Sequence, residues 1–379
     1  MAADIALSAI PRAKRPLTVL DPMAGSGTTL EHALQKGHRA VGVDCDPLAV
    51  LISRVRCRAG NPKTILSAAM QATARARKIL SRRRLKYPRH FDGETLSFVR
   101  FWFDQKARTQ LSALAAAIGL EKRKSAREAL WCSFSRMIIV KSVGVSRAAD
   151  VAHSRPHKHY QVAPVMPLEA FERHVGRVIS NMCVIRNKRT FQVLGGDARK
   201  LPMRTGSVDL VITSPPYLNA IDYIRGHRLS LVWMGWTVSQ LREIRSDSIG
   251  CERYIARHSL DLGLLRQILG SKTVSRLPRR RLRILQTYAD DMQRVISEVA
   301  RVLKHSGVAT FVVGNSSLRG VFVANSKLVE RFAAAAKLRL TRRIRRPLLA
   351  KRRYLPIPPS GNPLGSRMRE ETILTFTKA

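Results

Sequence analysis

Acidic residues are scarce in this chain: 26 Asp and Glu stand against 68 Lys and Arg, a formal net charge of +42 over 379 residues. An imbalance of that size points to a polyanionic partner, without telling DNA from RNA. Paired cysteines are missing too. Cys45, Cys57, Cys132, Cys183 and Cys251 are scattered with no Cys-x-x-Cys spacing. That pattern excludes a cysteine-built zinc site and fits a reduced, cytoplasmic protein without disulfides. No apolar run approaches the ~20 residues needed to span a bilayer. Asp4, Pro11 and Arg12 interrupt the apolar start of the chain, so no signal peptide is expected. There is no internal repeat. What remains is a chain 45% apolar, enough to bury one large core or two smaller ones.

Short apolar runs alternate with helical patterns. Residues 17–21 (Leu-Thr-Val-Leu-Asp) run into a glycine turn, as a buried parallel strand does. Thr28–Gln35 reads as a helix ended by Gly37. Arg39–Asp44 reads as a second strand closing on an acid, so a βαβ unit opens the chain. From 60 to 188 the pattern becomes helical and basic, with helices expected near 65–84, 105–118, 126–142 and 168–187. Strands resume at 190–194 and at Val208–Thr213. Residues 222–283 read as an irregular basic stretch ending in Pro278, Arg279, Arg280 and Arg281. An amphipathic helix follows, with Tyr288, Met292, Val295, Ile296, Val299, Val302 and Leu303 on one face and Gly307 as its stop. Further strands are expected at 308–313, 338–344 and 371–376. The expected fold is α/β, a Rossmann-like sheet with a mainly helical basic insertion. Its first core part spans 1–59, the insertion 60–188, and the second core part 189–379 with a further basic insertion at about 222–283.

The turn Asp21-Pro22-Met23-Ala24-Gly25-Ser26-Gly27-Thr28-Thr29 lets backbone N–H groups and a helix start approach a ligand closely. The third glycine of the dinucleotide fingerprint is absent, because position 30 is Leu, and no Lys follows, which argues against a phosphate-cradling P-loop. Asp44 ends the next strand, where an acid accepts hydrogen bonds from ribose hydroxyls; Asp46 is the fallback. A ribose grip without pyrophosphate machinery suits S-adenosylmethionine better than NAD or ATP. Asp197, in Gly195-Gly196-Asp197-Ala198, is a third strand-end acid. It reads either as a turn or N-cap acid or, as preferred here, as a ligand group converging with Asp21 and Asp44 on one crevice.

At the end of the strand Val208–Thr213 stands Ser214-Pro215-Pro216-Tyr217. Two prolines fix φ and remove two donors, which makes a stiff loop with outward carbonyls. Those carbonyls and the Ser214 hydroxyl accept hydrogen bonds from an amino group, and Tyr217 offers a face on which a base stacks. Accepting those hydrogens builds lone-pair character on a weakly nucleophilic amine as it attacks a methyl sulfonium in line, so positioning and electrostatics suffice.

These residues resemble the amino-methylating DNA methyltransferases, which form N4-methylcytosine or N6-methyladenine. The resemblance rests on the cofactor motif (Asp21, Pro22, Ala24, Gly25, Gly27, Thr28) and the catalytic motif (Ser214, Pro215, Pro216, Tyr217). It also draws on Arg301-Val302-Leu303-Lys304, Val312-Val313-Gly314-Asn315 and the ending Ser366-Arg367-Met368-Arg369-Glu370-Glu371. It covers about 250 residues. It implies a seven-stranded methyltransferase sheet, S-adenosylmethionine as cofactor, and double-stranded DNA with a flipped base as partner. Asp44 falls where the family holds the ribose and Asp197 where it holds the adenine amino group. Ser214 leans toward cytosine N4. The family packs a helix over the methionine end of the cofactor, and little chain precedes Leu17. The expectation is therefore that another segment covers that side or that the sequence is incomplete. The alternatives carried forward are an RNA base-amine methyltransferase and an inactive DNA-binding relic. A monomer or weak dimer, with no membrane contact and no metal, completes the reading.

Outside the motifs, His153, His157 and His159 read as a basic loop touching phosphates, in preference to a metal site. Arg225, His227 and Arg228 read equally well as contacts to the nucleotide backbone and as one face of an amphipathic helix. Trp233 and Trp236 read as core. The helical insertion, or residues 222–283, is the candidate target-recognition part.

Overall fold

The computed structural model describes residues 5, 8–58, 60–82, 87–141, 143–151, 156–182, 190–218, 222–250, 260–347 and 370–379. His153, Cys183, Cys251 and the 366–369 part of the family-like ending lie outside the described residues. The chain forms two compact units. One comprises Met1–Cys45, Asn187–Ala220 and Ser248–Ala379; the other comprises Asp46–Arg186 and Ile221–Asp247. The second unit is thus built from two stretches of chain, and the expected basic insertion at 222–283 is shared between the units.

The first unit carries a seven-stranded sheet: β1 (Thr18–Asp21), β2 (Arg39–Asp44), β3 (Phe191–Gly195), β4 (Val208–Thr213), β5 (Leu303–Gly314), β6 (Leu338–Pro347) and β7 (Glu370–Lys378). Their spatial order is β6-β7-β5-β4-β1-β2-β3. The pairs β3–β2, β2–β1, β1–β4 and β4–β5 are parallel, and β7 runs antiparallel to both β5 and β6. The fold is therefore α/β and Rossmann-like, as expected. β1 leads outward through the Thr28–Gln35 helix to β2, whereas β4 lies on its other side. The strand order reverses between β1 and β4, and that switch point is where open α/β sheets gather ligands.

The predicted Thr28–Gln35 helix and the strands Arg39–Asp44 and Val208–Thr213 agree with the structure at both ends. The amphipathic helix spans Arg279–Val302, and Tyr288, Met292, Val295, Ile296, Val299, Val302 and Leu303 are all buried in the core of this unit. Its two ends differ from expectation. Arg279, Arg280 and Arg281 form its first turn instead of closing a loop. Gly307 does not stop it: the chain passes straight from Val302 into β5. Gly307 instead permits a close approach, because a Cβ there would lie 2.8 Å from the Lys304 carbonyl oxygen and 3.3 Å from that of Asp209. The reading of 222–283 as irregular also fails. Its described part contains the helices Tyr223–Leu231, Val238–Asp247, Leu262–Leu269 and Ser271–Ser275. Asp222 and Asp261 cap two of them by accepting from Arg225 N–H and Leu264 N–H, a start signal short enough to be overlooked among basic residues.

The second unit is helical. Besides the four expected helices, observed as Pro62–Ser81, Gln105–Gly119, Lys124–Ile138 and Pro167–Ser180, it holds Pro47–Cys57 and Gly93–Trp102. Both additions begin at a capping aspartate, Asp46 and Asp92. Ala68, Ala69, Ala72 and Ala76 line the buried side of Pro62–Ser81 and let its neighbours approach closely. Trp233 is core, as expected, with Phe91 and Phe103 edge-on at 5.5 Å. None of the described helices is long and apolar enough to cross a membrane.

At the amino-terminal rim of the sheet, Asp209 of β4 accepts from Thr18 N–H at 2.8 Å, from Lys304 at 2.9 Å and from Arg15 at 3.2 Å. Partial burial alone would raise its carboxyl pKa, but these donors outweigh burial and hold it below the ordinary value. Asp209→Ala should lower unfolding free energy by about 2–3 kcal/mol at neutral pH, since it removes a largely buried charged acceptor. A depressed carboxyl stabilises above its unfolded pKa near 3.9 and loses that contribution as pH falls through the folded value. Urea unfolding of both proteins should therefore show the gap closing below about pH 4; a gap constant down to acid pH would contradict this role.

Candidate active site

β1 delivers Asp21 to the carboxyl rim of the sheet. Asp21 is buried, and burial pushes its carboxyl pKa up, while the hydroxyls of Thr29 and Thr213 and the Met23 N–H pull it down. Thr213 is the last residue of β4. Since Leu20 pairs with Val211 in the parallel ladder, Asp21 and Thr213 end neighbouring strands on the same rim. The glycine turn and the Ser-Pro-Pro-Tyr loop thus leave adjacent strand ends, on either side of the switch point.

The turn itself is held by β2. Ala24 N–H donates to the Val43 carbonyl at 2.9 Å, and Gly25 N–H donates to Asp44 Oδ2 at 2.7 Å. Gly25 and Gly27 adopt φ of +52° and +79°, the left-handed region that a side chain disfavours. A Cβ on Gly25 would meet no atom within 4 Å, so the backbone there faces open space that a ligand can enter. Gly27 then opens the Thr28–Gln35 helix. Pro22 and Ala24 are buried beneath the turn, and Thr28 starts the helix with its hydroxyl 3.4 Å from that of Ser26. The missing third glycine is explained by Gly42. A Cβ at position 42 would lie 2.6 Å from Leu30 Cδ1, so close helix–strand packing is achieved by a glycine on the strand instead of the helix.

Asp197 lies just past β3, at the same rim. Both of its oxygens accept from Arg199 Nε, at 3.0 and 2.9 Å, and Arg199 reaches on to Asp291 at 2.7 Å. Burial works against the Arg199 charge, but the two carboxylates outweigh it and raise its pKa above the ordinary value. This clamp ties the turn after β3 to the Arg279–Val302 helix. The Asp197 side chain nevertheless keeps 40% of its exposure, so the turn and ligand readings are compatible. Asp46 is corrected as a fallback for the ribose. Its carboxylate caps the Pro47–Cys57 helix through Leu48 N–H at 2.9 Å and is bonded to His227 Nδ1. Burial would raise its pKa, yet the His227 contact and the helix N–H groups hold it low. His227 is used in that contact, Arg225 pairs with Asp222, and Arg228 stacks on Phe98 at 4.9 Å. The helix-face reading of these three residues accounts for each.

In the catalytic-motif loop Pro215 is buried and Ser214, Pro216 and Tyr217 are partly exposed. Tyr217 donates its hydroxyl to Glu371 Oε1 at 3.2 Å, which fixes the ring. Gly250, at φ +77°, lies so close that a Cβ there would come within 3.2 Å of the Tyr217 carbonyl. Just beyond, the Leu218 carbonyl accepts from Ser316 Oγ at 2.8 Å. Ser316 in turn accepts from Asn325 Nδ2 at 2.8 Å, and Asn325 also donates to the Gly314 carbonyl at 2.9 Å. This buried chain bolts the loop to the end of β5. Asn325, Ser316, Glu371, Arg199 and Asp291 were not singled out from sequence as positioning groups. Asn325 begins a helix, where a lone amide reads only as a cap, and of the five only Arg199 lies close in sequence to the loop or turn it holds.

No family model matches the chain. It is 22% identical over 334 residues to the type II methyltransferase M.MvaI of Kocuria varians, an alignment covering 82% of this chain and 72% of that protein. The chain is similar to type II methyltransferases. A second, M.BsoBI of Geobacillus stearothermophilus, is 44% identical over 43 residues, 11% of this chain and 8% of that protein. Among solved structures, a SAM-dependent methyltransferase from Methanosarcina mazei is 8% identical with a TM-score of 0.35, covering 99% of this chain and 96% of that one. A candidate DNA modification methylase from Thermus thermophilus is 19% identical over 48% of this chain and 52% of that one, with a TM-score of 0.26. Structural likeness at that level says nothing of mechanism.

Asn325→Ala should cost about 2–3 kcal/mol of stability, because Ser316 and the Gly314 carbonyl lose a buried donor together. Urea unfolding monitored by tryptophan fluorescence reads this directly, and an unshifted midpoint would deny the network its structural role.

Proposed function

We propose that this protein is a DNA methyltransferase that moves a methyl group from S-adenosylmethionine to the exocyclic amine of a flipped base, cytosine N4 in preference to adenine N6. The observation that carries the reading is the junction of Asp21 and Thr213 at the switch point, where a glycine turn and a proline-stiffened acceptor loop leave neighbouring strands. The similarity to a type II methyltransferase across most of the chain supports the same reading.

The donor set suits the cofactor. The open space at Gly25 admits a nucleoside against bare backbone, Asp44 lies at the end of β2 to receive ribose hydroxyls, and Asp197 stands at the next strand end for the adenine amine. Asp21 shapes the turn from beneath. When bound, the cofactor supplies an electrophilic methyl on a sulfonium. Ser214 and the carbonyls of Pro215 and Pro216 accept the amine hydrogens and turn its lone pair toward that methyl. Tyr217, its ring fixed through Glu371, stacks on the base. The cofactor would supply the methyl and keep the sulfur electron pair, while Ser214 and the Pro215 and Pro216 carbonyls would hold the amine and hand its departing proton to water. No covalent bond to the enzyme is required, so rigidity and placement carry the rate.

Asp44→Ala should weaken cofactor binding in calorimetry, whereas Tyr217→Ala should slow methyl transfer by about 10–100-fold, in keeping with loss of ~1–3 kcal/mol of base stacking. Unchanged turnover in the Tyr217 variant would count against stacking. Mass spectrometry of nucleosides from DNA and RNA treated with protein and cofactor should reveal N4-methylcytosine in DNA. Methylated RNA beside unmodified DNA would replace the substrate, and a protein that binds no cofactor would be a relic.

A further inference from the structure

The sheet ends in a strand of unusual composition. Among the described residues, β6 forms one flank of the sheet and pairs with β7 alone. Five of the eight residues 339–346 are arginine: Arg339, Arg342, Arg343, Arg345 and Arg346. Arg343 pairs with Glu330, while Arg339, Arg342 and Arg345 make no ion pair with any described residue. Charge on an edge strand has an ordinary explanation, since it deters edge-to-edge aggregation. One or two lysines achieve that. Five arginines exceed the need, and their planar forks match phosphate geometry.

The register gives these arginines a direction. The ladder between β6 and β7 shifts between Leu340 and Arg342, so the usual alternation slips by one residue. Arg339, Arg342 and Arg346 consequently fall opposite Thr377, Thr375 and Glu371, positions that share one face of β7. Glu371 is the residue that holds Tyr217, and it also lies opposite Gly314 at the end of β5. Because β6 runs parallel to β5, its Arg346 end stands at the same carboxyl rim as the catalytic-motif loop. A row of cations therefore runs along the edge toward the candidate site. From Arg339 to Arg346 it extends ~23 Å at ~3.3 Å per residue. Along the axis of a duplex that length spans about seven base pairs, at ~3.4 Å of rise each.

We propose that β6 is a docking edge for the phosphate backbone of duplex DNA, holding the flank of the substrate while the target base occupies the site. Only the choice of polymer rests on the proposed function. The test is run without cofactor, so that a failure of methyl transfer and a failure of the docking edge give different results. Affinity for a short labelled duplex is measured by fluorescence anisotropy over a series of salt concentrations. The variant Arg339→Gln, Arg342→Gln should flatten the slope of log affinity against log salt by about 1.8, at ~0.9 for each phosphate left without its cation. The matching double lysine variant keeps the charges and should restore the slope. A second variant, Arg266→Gln, Lys272→Gln, removes two exposed cations from the short helices of the same unit and should leave the slope nearly intact. Equal flattening by both glutamine variants would reduce the strand to general surface charge and overturn the proposal. So would an unchanged slope, a loss confined to structured RNA, or tighter binding to phosphatidylserine vesicles than to the duplex.

Discussion

The parallel pairing of β1 with β4 is the constraint on which the rest depends. Thr18 and Asp209, joined at one rim by a hydrogen bond, are 191 residues apart in the chain. Between them lie the whole helical unit's longer segment, β2 and β3. Closing so long a span has a considerable entropic cost, offset by a buried ladder and by the Asp209 contacts to Arg15, Thr18 and Lys304. Once that pairing exists, the opposite rim is determined. Asp21 and Thr213 end side by side, and the loops that follow them have no other place to begin.

Stiffness at that rim comes from polar groups with structural duties. Asp44 receives the Gly25 N–H, Arg199 clamps Asp197 to Asp291, Glu371 holds the Tyr217 hydroxyl, and Asn325 secures the Leu218 carbonyl through Ser316. Each connects segments distant in the chain and close in space. Such bonds contribute modestly to net stability, yet leaving one unmade in a buried setting is costly, which is why they fix geometry so well. Chemistry that relies on positioning an amine needs that kind of support. The glycine economy follows the same logic, since Gly42 makes room for Leu30 so that the turn can lie flat on its strand.

Much of the fold was legible because local signals agreed. The Thr28–Gln35 helix, β2 and β4 have apolar runs of the right period bounded by glycine, acid or proline, and nothing downstream competes with them. The helices Gly93–Trp102 and Tyr223–Leu231 were missed because their start signal is a single capping aspartate, in one case beside a glycine that reads as a break. Gly307 misled for a related reason. A glycine after a helical pattern usually ends the helix, but here it relieves a clash with the Lys304 carbonyl inside a strand that starts directly after the helix, with the Asp209 carbonyl of the neighbouring strand also close.

By itself the sequence determined the alternating order of elements, the two motif loops and the strong positive charge, since each is written in contiguous residues through periodicity, φ preference or composition. The tertiary structure alone decided which acids serve the turn and which serve a helix cap, separating Asp44 from Asp46. It also decided that Glu371 meets Tyr217 and that a one-residue register shift sets three arginines opposite one face of β7. The reason is physical: hydrogen-bond partners and strand register depend on distances between segments remote in the chain, and those distances exist only after folding.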